Sequence, residues 1–196
     1  MSTSRPPAEV HGRHVAVRRY SVGDAAQLDA AVSMSVDHLL PWMPWARFEP
    51  LELSDRERLV EVWIDQWDRG EDFNFAIFRD RQLVGSCGLH RRVGPSGLEI
   101  GYWTRASAIR QGIATDAAAC LVRAAFSMPG IDHVEIHHDA ANVASGRVAA
   151  RLGFAIVDEQ SDDVSTAAEP GTERVWRLDR RARARQQKSG DDADGR

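Results

Sequence analysis

A short turn reads Ile109-Arg110-Gln111-Gly112-Ile113-Ala114-Thr115. It links a predicted strand that ends near Trp103 to an amphipathic helix predicted from about Gly112 to Met128. A helix that opens in this way presents unpaired backbone N–H groups and the positive end of its dipole. Gly112 permits close approach of a ligand to the backbone, Ala114 keeps the first turn free of bulk, and Arg110 offers a charge-assisted contact. The turn therefore predicts a pyrophosphate site, although it matches neither a Walker loop nor a dinucleotide fingerprint.

Outward from this turn, the hydrophobic pattern predicts blocks of strands and helices. Alternation and Gly/Pro turns indicate strands at 14–20, 73–78, 83–90, 98–103, 134–138, 155–157 and 174–178. Helical spacing indicates helices at about 25–32, 54–69, 112–128 and 145–152. A meander of strands followed by alternating strands and helices predicts a mixed α/β, or α+β, domain.

Length and composition restrict the class of protein. The chain has 196 residues, with 25 Lys and Arg against 29 Asp and Glu, so its formal net charge is -4. This charge disfavours general binding to nucleic acid or to a membrane surface, and no apolar run is long enough to span a bilayer. Two cysteines exclude a disulfide-framed secreted scaffold. We therefore expect a cytoplasmic globular protein.

Three segments are predicted along the chain. Residues 1–12 are polar, contain two consecutive prolines and are expected to be disordered. Residues 13–178 are expected to form the single folded domain. Residues 179–196 carry a run of arginines followed by aspartates, and we expect them to form a charged, disordered tail.

Four motifs in register resemble the GNAT (GCN5-related) N-acetyltransferases of the RimJ/RimL-like branch. The turn at 109–114 resembles the family's Gln/Arg-x-x-Gly-x-Gly/Ala pyrophosphate motif. Residues 99–103 resemble its fourth strand, residues 142–154 its Asn-x-x-Ser-x-x-Val-x-x-x-Leu-Gly-Phe segment, and residues 39–46 its Pro-Trp-Met-Pro-Trp-Ala region. The resemblance implies the GNAT fold, a mixed, mostly antiparallel central sheet of about seven strands with about four helices. That sheet is splayed between its fourth and fifth strands.

The resemblance also implies N-acetyltransferase activity. The enzyme would move an acetyl group from acetyl-CoA to an amine in a ternary complex and would use no metal. The acceptor would be a protein N-terminus or a small-molecule amine, and a homodimer is the family habit. By position, the cofactor-binding residues would be the backbone of Tyr102, Trp103 and Thr104, the turn from Ile109 to Thr115, Asn142 and Ser145. The sequence departs from the family at Ile109, where Gln or Arg is usual, and at Ala149, where many members place a tyrosine general acid.

Thioester aminolysis requires a base that accepts a proton from the attacking amine and a donor for the leaving thiolate. Glu99 is the predicted base, since it lies on the strand that leads into the turn. Ser145 is the donor that the resemblance implies, because the RimJ/RimL-like branch is thought to use the serine after the asparagine. Each has a structural alternative: Glu99 as a solvent-facing carboxylate, and Asn142 and Ser145 as caps of a short helix.

The remaining candidates concern the acceptor. Trp42 and Trp45, beside two prolines, either wall a substrate pocket or fill the core, with His38 as a weaker neighbour. His137 either lines the acceptor groove or simply ends a strand, and its alternation with His138 argues against a metal site. A second class of function also stands, a GNAT-like sensor or scaffold that binds acyl-CoA without turnover. Transfer of another acyl group, such as succinyl, is a third reading.

Overall fold

A mixed sheet of eight strands forms the centre of the structure, a computed structural model that describes residues 4–184. The strands are β1 (Glu9–His11), β2 (Ala16–Arg19), β3 (Asp72–Arg79), β4 (Gln82–His90), β5 (Gly97–Thr104), β6 (His133–Asp139), β7 (Ala155–Ser161) and β8 (Thr172–Asp179). Their order is β1-β2-β3-β4-β5-β6-β8-β7. Neighbouring strands are antiparallel, apart from the parallel pair β5 and β6. The predicted mixed, mostly antiparallel sheet is confirmed, with one strand more than the prediction.

In the described part of the chain, five α-helices lie between the first and the last strand and cover the sheet. They are α1 (Ala25–Ser33), α2 (Val36–Leu39), α3 (Leu53–Arg69), α4 (Ile113–Ser127) and α5 (Val143–Arg151). Short 3₁₀ helices lie at Val22–Asp24, Pro44–Phe48 and Ala106–Ala108. The prediction of about four helices missed α2, because a single turn of 4 residues has no readable period.

Two hydrophobic clusters hold the helices on the sheet. The larger cluster joins α4 to the inner strands and includes Ile100 and Leu121, which are almost completely buried. The smaller cluster joins α1 and α3 to β3 and β4, with Leu28 and Val60 at its centre. β4 is buried from residue 83 to residue 89 because helices cover both of its faces.

The start of the chain differs from the prediction. Within the segment 1–12 that we expected to be disordered, Glu9–His11 forms β1 and pairs with β2. The loop that follows is bound by Asp116, whose carboxylate accepts backbone hydrogen bonds from Arg13, His14 and Val15 at 3.0, 2.7 and 3.2 Å. A Cβ on Gly12 would overlap that carboxylate. The first turn of α4 thus orders a segment that local composition alone marks as disordered.

The end of the domain also extends past its predicted boundary. Residues 180–184 are helical. Arg180 donates from its guanidinium group to the carbonyl oxygens of Phe126, Met128 and Ile131 at the end of α4, at 3.0 Å for Met128. Because one arginine donates hydrogen bonds to three backbone carbonyl groups, this segment is fixed to the domain. The rest of the predicted tail, residues 185–196, lies outside the described residues.

Candidate functional site

The sheet opens between β5 and β6. These strands pair only over residues 97–99 and 133–135 in the described chain, and then part. β5 continues along β4 to Thr104, and β6 continues along β8 to Asp139. Beyond the fork, the facing edges carry backbone N–H and C=O groups that the sheet does not use. The splay predicted at this place is confirmed.

The predicted anion-binding turn lies where the chain leaves β5. α4 begins at Ile113, and the preceding Gly112 has φ 77° and ψ 0°, a left-handed conformation that favours glycine. No side chain in the described part of the chain caps this helix, so the N–H groups of its first turn stay available. A Cβ built on Gly112 meets no heavy atom within 4 Å. The turn is therefore open and rich in donors, which is what a pyrophosphate group requires.

The side chains of the turn differ in their surroundings. Ile109 and Arg110 are exposed, Ile113 is buried in the core, and Ala114 and Thr115 are partly buried. The Gln111 side chain is held by the protein, since it donates to the Ser107 carbonyl at 3.0 Å and accepts a hydrogen bond from Arg79. Arg79, which the sequence did not single out, thus lies beside the turn.

Residues of two separate motifs meet across the opened strand. Asn142 is the N-cap of α5, and its Oδ1 accepts a hydrogen bond from the Ser145 N–H at 3.2 Å. The hydroxyl groups of Ser145 and Tyr102 lie 2.8 Å apart, and Tyr102 belongs to the part of β5 that pairs with β4 but no longer with β6. The capping role that we kept as an alternative for Asn142 is therefore present. The prediction used only the backbone of Tyr102, so it missed this side chain.

Glu99 lies at the fork itself, on the last register position that β5 shares with β6. Its side chain is 19% exposed, and Arg92 approaches its carboxylate at 3.8 Å. The register partner on β6 is Glu135, whose buried carboxylate binds Arg177 at 2.7 Å. Since register partners in a parallel pair project to the same face, Glu99 and Glu135 belong to one charged row, which also contains His137. The sequence did not indicate this row, because Glu135 and Arg177 follow no motif.

His137 lies between two carboxylates of this row. Its Nε2 is 2.8 Å from Glu135 Oε2, and its Nδ1 is 3.3 Å from Glu173 Oε1. Burial lowers the pKa of His137, but the hydrogen bond to Glu135 and the nearby negative charges outweigh burial and raise the pKa above 6.5. The structure thus ties His137 to acidic neighbours on the face that carries Glu99.

We expect His137 to stabilise the fold at low pH and to lose this effect as the pH rises. Its pKa is near 6.5 in the unfolded chain and higher in the fold. The contribution is therefore fully present below about pH 6.5 and disappears as the pH passes through the folded pKa. Urea unfolding of the wild type and of His137→Gln from about pH 5.5 to about pH 8.5 measures the difference in unfolding free energy. A difference that stays constant over this range would contradict the prediction.

Among the aromatic candidates, Trp45 reaches the opened strand. Its ring centroid lies 5.9 Å from that of Trp103 on β5, and Trp103 alternates onto the same face as Glu99. Trp42 and His38 are partly buried. Within the described residues, neither side chain makes a hydrogen bond, an ion pair or a ring contact. The structure brings Trp45 to the site and does not tie Trp42 or His38 to it.

The loop between β7 and β8 lies over the tryptophan-containing segment. Thr166 donates from its hydroxyl to the carbonyl oxygen of Pro41 at 2.5 Å. Asp139, at the end of β6, accepts backbone hydrogen bonds from Gly171 and Thr172 at 3.2 and 3.3 Å and so holds the base of the loop. A groove of about 490 Å³ separates the loop from residues 40–47. This groove was not predictable from the sequence, because residues 161–171 have a low-complexity composition.

The described residues offer little for metal or thiol chemistry. Among residues 4–184, no group of three or more His, Cys, Asp or Glu side chains is placed to hold a metal ion. Cys87 and Cys120 are free and buried, and burial raises the pKa of both thiols, which disfavours a cysteine nucleophile. No helix in the same described range is long and apolar enough to cross a membrane.

By class the chain is an acetyltransferase, because the family model of the GNAT acetyltransferase domain matches residues 14–155. With most of its length matched, the chain belongs to the GNAT acetyltransferase family. A comparison with curated proteins found no match.

Solved structures share the fold at low sequence identity. RimL, a ribosomal L7/L12 α-N-protein acetyltransferase in complex with coenzyme A, has a TM-score of 0.81 at 18% identity, covering 89% of this chain and 99% of that one. Mycobacterium smegmatis RimJ in complex with CoA-disulfide has a TM-score of 0.75 at 22% identity, covering 95% and 92%. The microcin C7 self-immunity acetyltransferase MccE, in complex with acetyl-CoA and AMP, has a TM-score of 0.78 at 17% identity, covering 85% and 93%.

Proposed function

We propose that this protein transfers the acetyl group of acetyl-CoA to a primary amine by direct attack in a ternary complex. The observation that carries the proposal is the opening of the sheet between β5 and β6, with the uncapped start of α4 at its end. RimL, RimJ and MccE share this fold and were solved with coenzyme A, CoA-disulfide or acetyl-CoA, which supports acetyl-CoA as the cosubstrate. The proposed reaction uses no metal.

The cosubstrate is held mainly by backbone groups. Its pyrophosphate accepts hydrogen bonds from the N–H groups of residues 113–115, and Arg110 adds positive charge. Its pantetheine amides pair with the free edge of β5 at residues 102–104, in the manner of an added strand. Asn142 uses only its Oδ1 in the cap, so its amide N–H groups are available to the pantetheine arm. The aliphatic Ile109 removes one polar contact that other members have.

The chemistry takes place at the fork. The amine nitrogen forms a bond to the acetyl carbon, and Glu99 accepts a proton from that nitrogen, directly or through one water. A backbone N–H on the free edge of β5 stabilises the oxyanion that develops. The C–S bond then breaks, its electron pair goes to sulfur, and Ser145 donates a hydrogen bond to the thiolate. Ala149 is completely buried at the position of the usual tyrosine, which leaves Ser145 as the hydroxyl that α5 offers.

The acceptor is proposed to be the α-amino group of a protein or peptide. The activity of RimL, an α-N-protein acetyltransferase of ribosomal L7/L12, supports this choice. The charged row at Glu99, Glu135 and Glu173 also favours a cationic ammonium group, and Trp45 against Trp103 supplies an apolar wall beside it. With this acceptor we propose a cytoplasmic location, and a homodimer from family habit.

A panel of acceptors tests the function. Acetyl-CoA is mixed with peptides carrying N-terminal Ser, Ala or Met, with polyamines and with single amino acids, and release of the CoA thiol is followed. We expect turnover with at least one α-amino peptide and none with the same peptide after its N-terminus is blocked. Succinyl-CoA in parallel tests the choice of acyl group. Tight binding of acetyl-CoA with no thiol release for any acceptor would contradict the enzyme and favour a sensor without turnover.

A further inference from the structure

The hydroxyl of Tyr102 on β5 lies within hydrogen-bond distance of the hydroxyl of Ser145 on α5. Their oxygen atoms lie 2.8 Å apart, and the Tyr102 hydroxyl is also 3.3 Å from the Ser145 carbonyl oxygen. The contact joins β5 beyond the fork to the first turn of α5. It therefore connects the strand proposed to bind pantetheine with the serine proposed to meet the sulfur.

The direction of this hydrogen bond decides what Ser145 can do. The Ser145 carbonyl lies inside α5, where helix geometry directs it to the N–H four residues later, and its contact with the Tyr102 hydroxyl is the longer one, at 3.3 Å. We therefore assign the single phenolic hydrogen of Tyr102 to a hydrogen bond donated to the serine Oγ, because the distance of 2.8 Å to that atom is the shorter of the two. Burial raises the pKa of Tyr102 to about 12, so the phenol keeps its hydrogen at neutral pH. With the serine Oγ acting as acceptor, the serine's own hydrogen is free to be donated elsewhere.

We propose that Tyr102 is a positioning residue for acetyl transfer, because it donates to Ser145 Oγ and thereby directs the Ser145 hydrogen to the departing sulfur. This inference rests on the proposed function. No net proton leaves Tyr102 in the step. As the C–S bond breaks, its electron pair goes to sulfur, and the Ser145 hydroxyl donates a hydrogen bond to the thiolate. Glu99 then passes the amine proton to solvent, and solvent protonates the thiolate, so that the protons balance.

A double-mutant cycle tests this pairing. The kcat of acetyl transfer and the KM for acetyl-CoA are measured for the wild type, Tyr102→Phe, Ser145→Ala and the double variant. We expect Tyr102→Phe to lower kcat about tenfold, the size of one lost hydrogen bond, and to change KM less than about twofold. In the Ser145→Ala background, the same substitution should have no further effect. In a Ser145→Thr background, which keeps the Oγ, the tenfold effect should return.

The controls separate positioning from packing. Tyr20→Phe removes the hydroxyl of the second tyrosine of the chain, which is buried with its ring centroid 5.0 Å from that of Trp63, and should leave kcat unchanged. Equal losses from Tyr102→Phe with and without Ser145, a rise in KM at constant kcat, or wild-type kinetics would overturn the pairing. Absence of turnover by the wild type with every acceptor would instead overturn the proposed function, and this inference with it.

Discussion

Replacing Gly112 with aspartate is expected to weaken the binding of acetyl-CoA about 100-fold or more. Gly112 precedes α4 at φ 77° with open space around its Cα, so the new carboxylate would occupy the place proposed for the pyrophosphate. The carboxylate would repel the negatively charged ligand. It would also accept hydrogen bonds from the N–H groups that the ligand needs. Calorimetric titration with acetyl-CoA measures the loss of affinity directly and needs no knowledge of the acceptor.

A matched variant isolates the effect of the charge from that of the backbone. Gly130→Asp places the same side chain at φ 82°, again with no atom within 4 Å, but at the opposite end of α4. Both variants carry the left-handed strain of about 1 kcal/mol that a non-glycine residue brings. Gly130→Asp should therefore bind acetyl-CoA like the wild type. Equal affinities for the two variants would show that the pyrophosphate does not lie at this turn.

Glu99→Gln is expected to lower kcat about 100- to 1,000-fold, which lies within the range of about 10²- to 10⁴-fold for a lost general base. The amide keeps the size of the side chain and its place at the fork, so KM for acetyl-CoA should change little. Steady-state kinetics with the best α-amino acceptor of the panel measure both constants. Because the unprotonated amine still attacks without a base, the residual rate of Glu99→Gln should rise with pH.

The control for this variant is Glu159→Gln. Glu159 lies on β7 at the outer edge of the sheet and pairs with Arg174, far from the fork in strand order. Its replacement should leave kcat and KM unchanged. If Glu99→Gln retains wild-type kcat across the pH range, the base is another group, and the remaining carboxylates of the charged row become the candidates.

The parts of the fold that were predictable depend on neighbours in sequence. The turn before α4 was readable because glycine, small residues and helical periodicity occur together within one segment. β1 was not readable, since its order depends on Asp116, a residue more than 100 positions away from the loop that it binds. Arg180 was assigned to a disordered tail for the same reason, because the carbonyl groups it binds lie at the end of α4.

The residues of the candidate site also fall into those predicted from local motifs and those that only the tertiary structure brings together. Asn142 and Ser145 were found through their motif, and the structure adds that the first is a helix cap. The contact between Tyr102 and Ser145 joins residues 43 positions apart in the sequence. Helix and strand periodicity relate only residues within one element, so they could not predict this contact. The charged row was equally hidden, because Glu135 and Glu173 come together only when β6 and β8 pair. Motifs therefore predicted the residues that we propose for the cosubstrate side of the site, whereas most of those that we propose for the acceptor side required the tertiary structure.

The fork in the sheet also bears on aggregation. An open strand edge is usually a hazard, because any extended polypeptide can pair with it. Here the two edges are internal and converge at residues 97–99 and 133–135, so a second protein strand would have to enter a closing wedge. A slender ligand with few amide groups meets no such obstacle. The divergence of β5 and β6 thus exposes backbone hydrogen-bonding groups and at the same time restricts access to them. A narrow ligand can pair with these groups, whereas a strand of another protein chain cannot.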